Sequence, residues 1–230
     1  MKKIIARASR SKFLGAIFHT LDYCLQRELG DCTTVLDLGC GPSSPVQYCK
    51  NIERSVGIDI FRPYLDAARQ NKTHDEYIED RAERVDFPEG SFDAVVLVEV
   101  LEHLPKSAGL EILKKAERWA KKKIFISTPN GFFPMEDVDS NTFQRHLSGW
   151  DVDDFKKMGY VIRGTAGAKF FYKKRNSVSS LLKGDFLFAN MRFRPKPLFF
   201  AINSLTQIAT HYLPKYAFGL IAVKNIKKNV

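Results

Sequence analysis

Two hydrophobic periods take turns along the middle of the chain. Short apolar or alternating runs, the pattern of β-strands, fall at Thr34 to Leu38, Ser55 to Ile60, Glu76 to Glu79, Phe92 to Val98, Lys123 to Ser127 and Tyr160 to Arg163. Between them, positions three and four apart repeat in helical register at Pro45 to Lys50, Pro63 to Gln70, Ala108 to Lys122 with Ser107 as N-cap, and Asp151 to Met158. Strands alternating with helices predict βαβ units and a parallel, doubly wound α/β sheet. The unbroken apolar stretch Ala94 to Val98 predicts a central strand buried on both faces. Upstream, Leu14, Ile17, Leu21 and Cys24/Leu25 predict one amphipathic helix from about Phe13 to Leu29. Downstream the rhythm breaks. Leu198, Ile202, Leu205, Ile208/Ala209 and Tyr212 share one helical face, which either packs on the core or enters a membrane interface, and a last strand fits Ala217 to Val223.

At 230 residues the chain suits one domain with a modest appendage. Its net charge of +10 is unevenly placed. Residues 1 to 34 carry six basic and three acidic groups, residues 35 to 163 eighteen and twenty-two, and residues 164 to 230 twelve and one. A mildly acidic body therefore joins a strongly basic C-terminal third. Cys24, Cys32, Cys40 and Cys49 form no C-x-x-C pair and sit beside no histidine cluster, so neither a disulfide framework nor a zinc site is expected, and a reducing, cytoplasmic setting is. The apolar run Phe13 to Phe18 is too short for a signal-peptide core or a membrane span.

The sharpest motif is Val35-Leu-Asp-Leu-Gly-Cys-Gly-Pro42, a strand running into a glycine turn. Glycines there permit a tight turn and close approach of a ligand to the backbone. Ser43, Ser44 and Pro45 then read as a helix cap followed by proline in the first turn. Asp59 ends the next strand twenty residues beyond Gly39, where a carboxylate can accept hydrogen bonds from ribose hydroxyls. A dinucleotide fingerprint wants a third glycine, and Ser44 stands there. Asp37 would also repel a pyrophosphate, whereas beside an ammonium its sign is right.

Five ordered segments carry a family resemblance: Val35 to Pro42; Val56-Gly-Ile-Asp59; Phe87-Pro-Glu-Gly-Ser-Phe-Asp93; Glu99-Val-Leu-Glu-His-Leu-Pro105; and Ser127-Thr-Pro-Asn130. Over about Cys32 to Gly164 the chain resembles the class I S-adenosylmethionine-dependent methyltransferases, in particular the small-molecule group called type 11. The resemblance implies a Rossmann-like, mostly parallel seven-stranded sheet with a final antiparallel strand, here with a C-terminal helical insertion. It implies S-adenosylmethionine as cofactor, with Gly39, Cys40 and Gly41 along its methionine part and Asp59 and Ile60 at the ribose. Asp80, Arg81 and Ala82 would lie at the adenine, and Glu99 and Val100 would complete the shell. Arg81 stands where an aspartate is frequent in such proteins, leaving either Asp80 or the backbone at Arg81 and Ala82 to meet the adenine. No metal is expected.

Methyl transfer needs a general base only where the acceptor arrives protonated. The candidates lie just beyond strand ends facing the expected cleft: Glu99, which better suits the cofactor shell, Glu102, His103, which also suits a structural role near the following helix, and His146, in a loop with Arg145 and Trp150. Asn130 reads as an Asx-turn residue. The expected organisation is an N-terminal helix in 1–30, a cofactor-binding core in 31–164, a basic and aromatic insertion in 165–216, and a last strand and basic tail in 217–230. The insertion interleaves cations with aromatics at Lys169 to Arg175 and Arg192 to Phe200. It reads as a lid over a small-molecule, lipid-linked or glycan-linked acceptor, or as a peripheral contact of residues 169–213 with the inner face of an anionic membrane. Glu99-Val-Leu-Glu102 replaces the signature used on nucleic-acid amines, so a nucleic-acid substrate is disfavoured. The competing function is a non-enzymatic membrane- or RNA-binding module on a vestigial methyltransferase fold.

Overall fold

The computed structural model describes residues 11–135, 141–173 and 190–226. Seven strands form one sheet: β1 (Thr34–Leu38), β2 (Arg54–Asp59), β3 (Glu76–Glu79), β4 (Phe92–Val98), β5 (Ala120–Pro129), β6 (Val161–Ala168) and β7 (Ala217–Asn225). Their spatial order is β3-β2-β1-β4-β5-β7-β6. The first five are parallel, and β7 inserts antiparallel between β5 and β6. The reversal between β1 and β4 opens a crevice at their C-terminal ends, the ligand position in open α/β sheets.

The period-two pattern sorts each central strand onto two cores. Leu36, Leu38, Val95, Leu97, Ile124 and Ile126 face a cluster that includes Trp119, Trp150 and Phe155. These aromatics belong to helix α4 (Lys106–Trp119), helix α5 (Val152–Lys157) and the loop before it. The intervening Val35, Ala94, Val96 and Phe125 face Leu25 and Leu29, at the end of α2 (Leu21–Glu28). Helix α3 (Arg62–Asn71) follows β2.

Several boundaries differ from the sequence reading. The single helix expected over Phe13 to Leu29 is two, α1 (Lys12–Phe18) and α2, because His19 takes a left-handed conformation and Thr20 caps the second. The expected helix at Pro45 to Lys50 is one 3-10 turn, Pro45–Tyr48, with Ser44 as its cap. Pro105, not Ser107, stands at the N-cap of α4, and that helix stops at Trp119. Lys122 and Lys123 lie in β5, where they pair with Asp93 and Asp31 at 3.2 and 2.9 Å.

Helix α6 (Lys196–Tyr212) does not pack its apolar face on the core. Its expected apolar face, Leu198, Ile202, Leu205, Ile208 and Tyr212, is exposed, and its buried residues are Asn203, Gln207, Thr210 and His211. The polar face covers the open edge of β6. Gln207 accepts from the Gly167 N–H at 2.6 Å and donates to the Gly164 carbonyl at 3.1 Å, while Thr206 accepts from Ala168 N–H at 2.9 Å. Asn203 donates to the Ala166 carbonyl at 3.1 Å. A sheet edge needs polar cover, and this helix supplies it with side chains. Gly164 permits the approach: a Cβ there would lie 2.1 Å from the Thr210 carbonyl oxygen.

Candidate functional site

A cleft of about 710 Å³ lies beyond the C-terminal ends of β1, β2 and β4. It brings together, on its lining, Asp37, Gly39, Cys40, Gly41, Asp59, Ile60, Asp80, Arg81, Ala82, Glu99, Val100 and His103. His146 is not on that lining. The glycine loop has the form that the strand-to-turn motif predicts. Gly39 and Gly41 have φ of 68° and 56°. A Cβ on Gly39 would strike Val100 at 2.6 Å, whereas one on Gly41 would meet nothing within 4 Å, so the loop backbone faces open space at Gly41.

Two buried aspartates hold that loop. The Asp59 carboxylate accepts from the Gly41 N–H at 2.9 Å and the Phe61 N–H at 2.8 Å, tying the end of β2 to the glycine turn. Burial raises its pKa, and the two N–H groups oppose the shift. Asp37 accepts from the Ser44 hydroxyl and, at 3.0 Å, from Nε2–H of the fully buried His74. Thr73 fixes the other ring nitrogen at 2.9 Å. Sequence reasoning missed His74, which sits just before β3 and carries no local signal of a partner on β1.

The far wall is closed by the segment from Asn141 to Leu147. Arg81 lies over the Phe143 ring at 5.4 Å, so the loop after β3 reaches across to this wall. Below it the chain after β4 makes a 3-10 turn, Leu101–His103, entered through Glu99 at a φ of 54°. Glu99 accepts from the Ser127 hydroxyl at 2.6 Å, and Glu102 accepts from the Thr128 hydroxyl at 3.0 Å through Oε2. Glu102 is buried and its Oε1 has no hydrogen-bond partner. Burial first, and the adjacent Glu99 second, push its carboxyl well above the ordinary carboxylate range.

His103 and His146 meet edge to face with ring centroids 4.8 Å apart. His146 is buried, and its Nδ1 lies 2.6 Å from the Phe133 carbonyl. Burial and the neighbouring His103 lower its pKa to about 4, so at neutral pH the ring is uncharged. His103 contacts the Arg145 carbonyl through Nδ1 at 3.3 Å, and burial lowers its pKa as well. Asn130 forms no Asx-turn; its amide donates to the carbonyls of Pro214, Lys215 and Ala217 and fixes the entry to β7.

A second chamber, of about 600 Å³, is lined by apolar groups including Leu14, Phe18, Tyr172, Phe200 and Phe218. Glu99 lines both this chamber and the cleft. The four cysteines are buried and free, and burial pushes the Cys24 and Cys32 thiols up to about 11, outside the range of reactive thiolates.

The stretch from β1 through most of β5, residues 36–126, matches the family described as methyltransferase domain. That match spans about two fifths of the chain. Among curated proteins, the chain is similar to (S)-tetrahydroprotoberberine N-methyltransferase of Eschscholzia californica, with 23% identity over 147 residues, 58% of this chain. That match spans 37% of the relative's length. Among solved structures, a SAM-dependent methyltransferase from Archaeoglobus fulgidus is 16% identical with a TM-score of 0.52, covering 93% of this chain and 98% of its own. The methyltransferase domain of bacterial CtHen1-C is 15% identical with a TM-score of 0.53, covering 89% and 96%. These likenesses show that the chain shares their fold. Among the described residues, no helix is long and apolar enough to cross a membrane.

Proposed function

We propose that the chain transfers a methyl group from S-adenosylmethionine to a non-protein acceptor, small or linked to a lipid or glycan. The cofactor of a methyltransferase domain of this kind is S-adenosylmethionine. The charge of the cleft carries the reading: its lining has five carboxyl groups, Asp37, Asp59, Asp80, Glu83 and Glu99, against two guanidinium groups, Arg81 and Arg145. That balance suits a ligand with a sulfonium and an ammonium and repels a pyrophosphate. The open space at Gly41 gives such a ligand close access to the loop backbone.

When bound, S-adenosylmethionine supplies an electrophilic methyl group, and the carbon–sulfur electron pair returns to sulfur as the acceptor's lone pair forms the new bond. The residues of the chain bind and orient. Asp37 and the loop at Gly39 to Gly41 hold the methionine end, Asp59 the ribose, and Asp80 to Ala82 the adenine. Glu99 stands where the cleft meets the apolar chamber, which receives the acceptor. Holding the two in line supplies most of the acceleration, since orientation is worth effective molarities on the order of 10⁵ M. His103 lines the cleft and is the better placed of the two histidines for taking a proton from an acceptor that arrives protonated. In this division residues 31–164 bind the cofactor, and 165–216 serve the acceptor side; 174–189 lie outside the described residues.

A second part of the reading concerns place. The exposed apolar stripe on α6, flanked by Lys169, Lys173, Arg192, Arg194, Lys196 and Lys215, supports peripheral contact with an anionic membrane. Calorimetric titration of the full chain with S-adenosylhomocysteine tests the main reading. We expect saturable one-to-one binding; no binding at millimolar ligand overturns it and returns the chain to a non-enzymatic module on the same fold.

A further inference from the structure

The turn after β4 and the wall segment that crosses it bring three chemically matched side chains to one point. Glu102, His103 and His146 each offer a ligand atom, and these atoms all lie within 4.8 Å of one another. Spacing alone does not join them, because 43 positions separate the two histidines and the usual zinc spacing is absent. Backbone hydrogen bonds make the junction rigid. Leu147 and Ser148 N–H groups donate to the Glu102 carbonyl at 2.7 and 3.1 Å, and the Ser148 hydroxyl and Trp150 indole donate to the Leu101 carbonyl at 3.0 and 3.2 Å.

The hydrogen bonds also settle which ring nitrogens keep a lone pair. A backbone carbonyl only accepts, so the Nδ1 of each histidine carries the proton toward Phe133 and Arg145, leaving the two Nε2 lone pairs available. This is the arrangement of metal-bound imidazoles, whose second nitrogen donates to a carbonyl or carboxylate. The third donor is independent of the first two: Glu102 Oε1, on a residue only 2% exposed, has no hydrogen-bond partner at all. Glu99 lies against this carboxyl, and a cation beside Oε1 offsets the cost of burying the two acidic groups together.

We propose that Glu102, His103 and His146 form a site for one divalent first-row transition ion, of the class of Mn²⁺ or Zn²⁺. Two imidazoles and one carboxylate suit such ions and leave coordination positions open. Bonds of about 2.0–2.2 Å in a tetrahedral site place ligand atoms about 3.4 Å apart, so a separation of 4.8 Å closes by about 1.4 Å when the ion enters. His103 lines the cleft, so an open position of the ion can meet an acceptor oxygen where cleft and chamber share Glu99. This narrows the acceptor to a molecule presenting a hydroxyl or comparable oxygen, which the ion acidifies in place of the base role given to His103 above, and it rests on the methyl-transfer reading.

The test uses the full chain, stripped with a chelator and dialysed. Titration with Mn²⁺, followed by electron paramagnetic resonance, and with Zn²⁺, followed by calorimetry, should each show one ion per chain. Co²⁺ should give the visible absorption of a nitrogen- and oxygen-ligated site. Glu102→Gln preserves shape, and it and His103→Gln should each weaken the ion by at least ~tenfold, judged on variants whose circular dichroism and melting match the parent. No saturable binding at millimolar ion overturns the proposal, as does parental affinity in both folded variants. A parallel titration of the metal-free chain with S-adenosylhomocysteine keeps the two readings apart. Binding of that ligand by a chain that binds no ion removes the metal site and leaves the cofactor cleft, whereas ion binding by a chain that does not bind that ligand does the reverse.

Discussion

Asp59 has a role that its place in the sequence does not announce. As a strand-end carboxylate it reads as a ribose partner, yet in the structure both oxygens already accept backbone N–H groups, one of them from Gly41. A carboxylate oxygen accepts more than one hydrogen bond, so the same group can shape the glycine loop and meet a ribose. Asp59→Ala then loses on both counts, and the affinity for S-adenosylhomocysteine should fall by about 1.5–3 kcal/mol, read by calorimetry. Unchanged affinity would remove Asp59 from the site. The glycine turn, Asp37 and the strand ends that form the cleft were legible because their signals are local: spacing, apolar runs and turn residues. His74 was not, since its partner lies 37 positions away on another strand. The grouping of Glu102, His103 and His146 was illegible for the same reason, although its residues were singled out one by one.

At the scale of the element, α6 shows how periodicity finds a helix and misplaces its faces. The apolar stripe correctly marks a helix, but apolar residues are buried only where an apolar surface is offered. The surface offered here is the edge of β6, a row of backbone N–H and C=O groups, and the polar face wins the contact. His211 is part of that face. It stacks on His19 at 3.9 Å, and its Nδ1 meets the Gly164 carbonyl at 3.2 Å. Burial, then the nearby His19, then Arg163 and Arg27, lower its pKa to about 4 from the ordinary 6.5, against the opposing pull of the Gly164 carbonyl. The unfolded chain therefore binds a proton that the folded chain refuses between those values, and stability is lost as pH falls through that window. The upper bound is about 3 kcal/mol. Thermal melts should drop from neutral pH to about pH 5, and the drop should be smaller in His211→Gln measured against its own neutral value. Equal slopes in the two proteins would take the effect away from α6.

For the whole molecule the uneven charge and the reversed helix become one feature. Residues 197 to 213 contain no Lys, Arg, Asp or Glu, and Leu198 and Leu205 are 52% and 62% exposed. Beside the start of this stripe the basic groups crowd: burial first, then Lys173 and Arg194, hold the Lys196 amine below its ordinary pKa. Phe13 and Ile17 extend the exposed apolar surface on α1, whose Leu14 and Phe18 line the chamber that reaches Glu99. An anionic bilayer answers both parts, since its headgroups neutralise the cations at about 1 kcal/mol each and its interface takes up the leucines. The chain should therefore sediment with phosphatidylserine-containing vesicles and much less with purely zwitterionic ones. Raising the salt should weaken the binding without abolishing it, because charge is screened and apolar contact is not. Leu198→Glu combined with Leu205→Glu changes only exposed positions of α6, so the fold and S-adenosylhomocysteine binding should persist while vesicle binding falls by at least ~tenfold, two buried leucines being worth about 3 kcal/mol or more. Vesicle binding that survives the double substitution would assign the stripe to another partner, and binding indifferent to lipid charge would separate the basic third from the membrane.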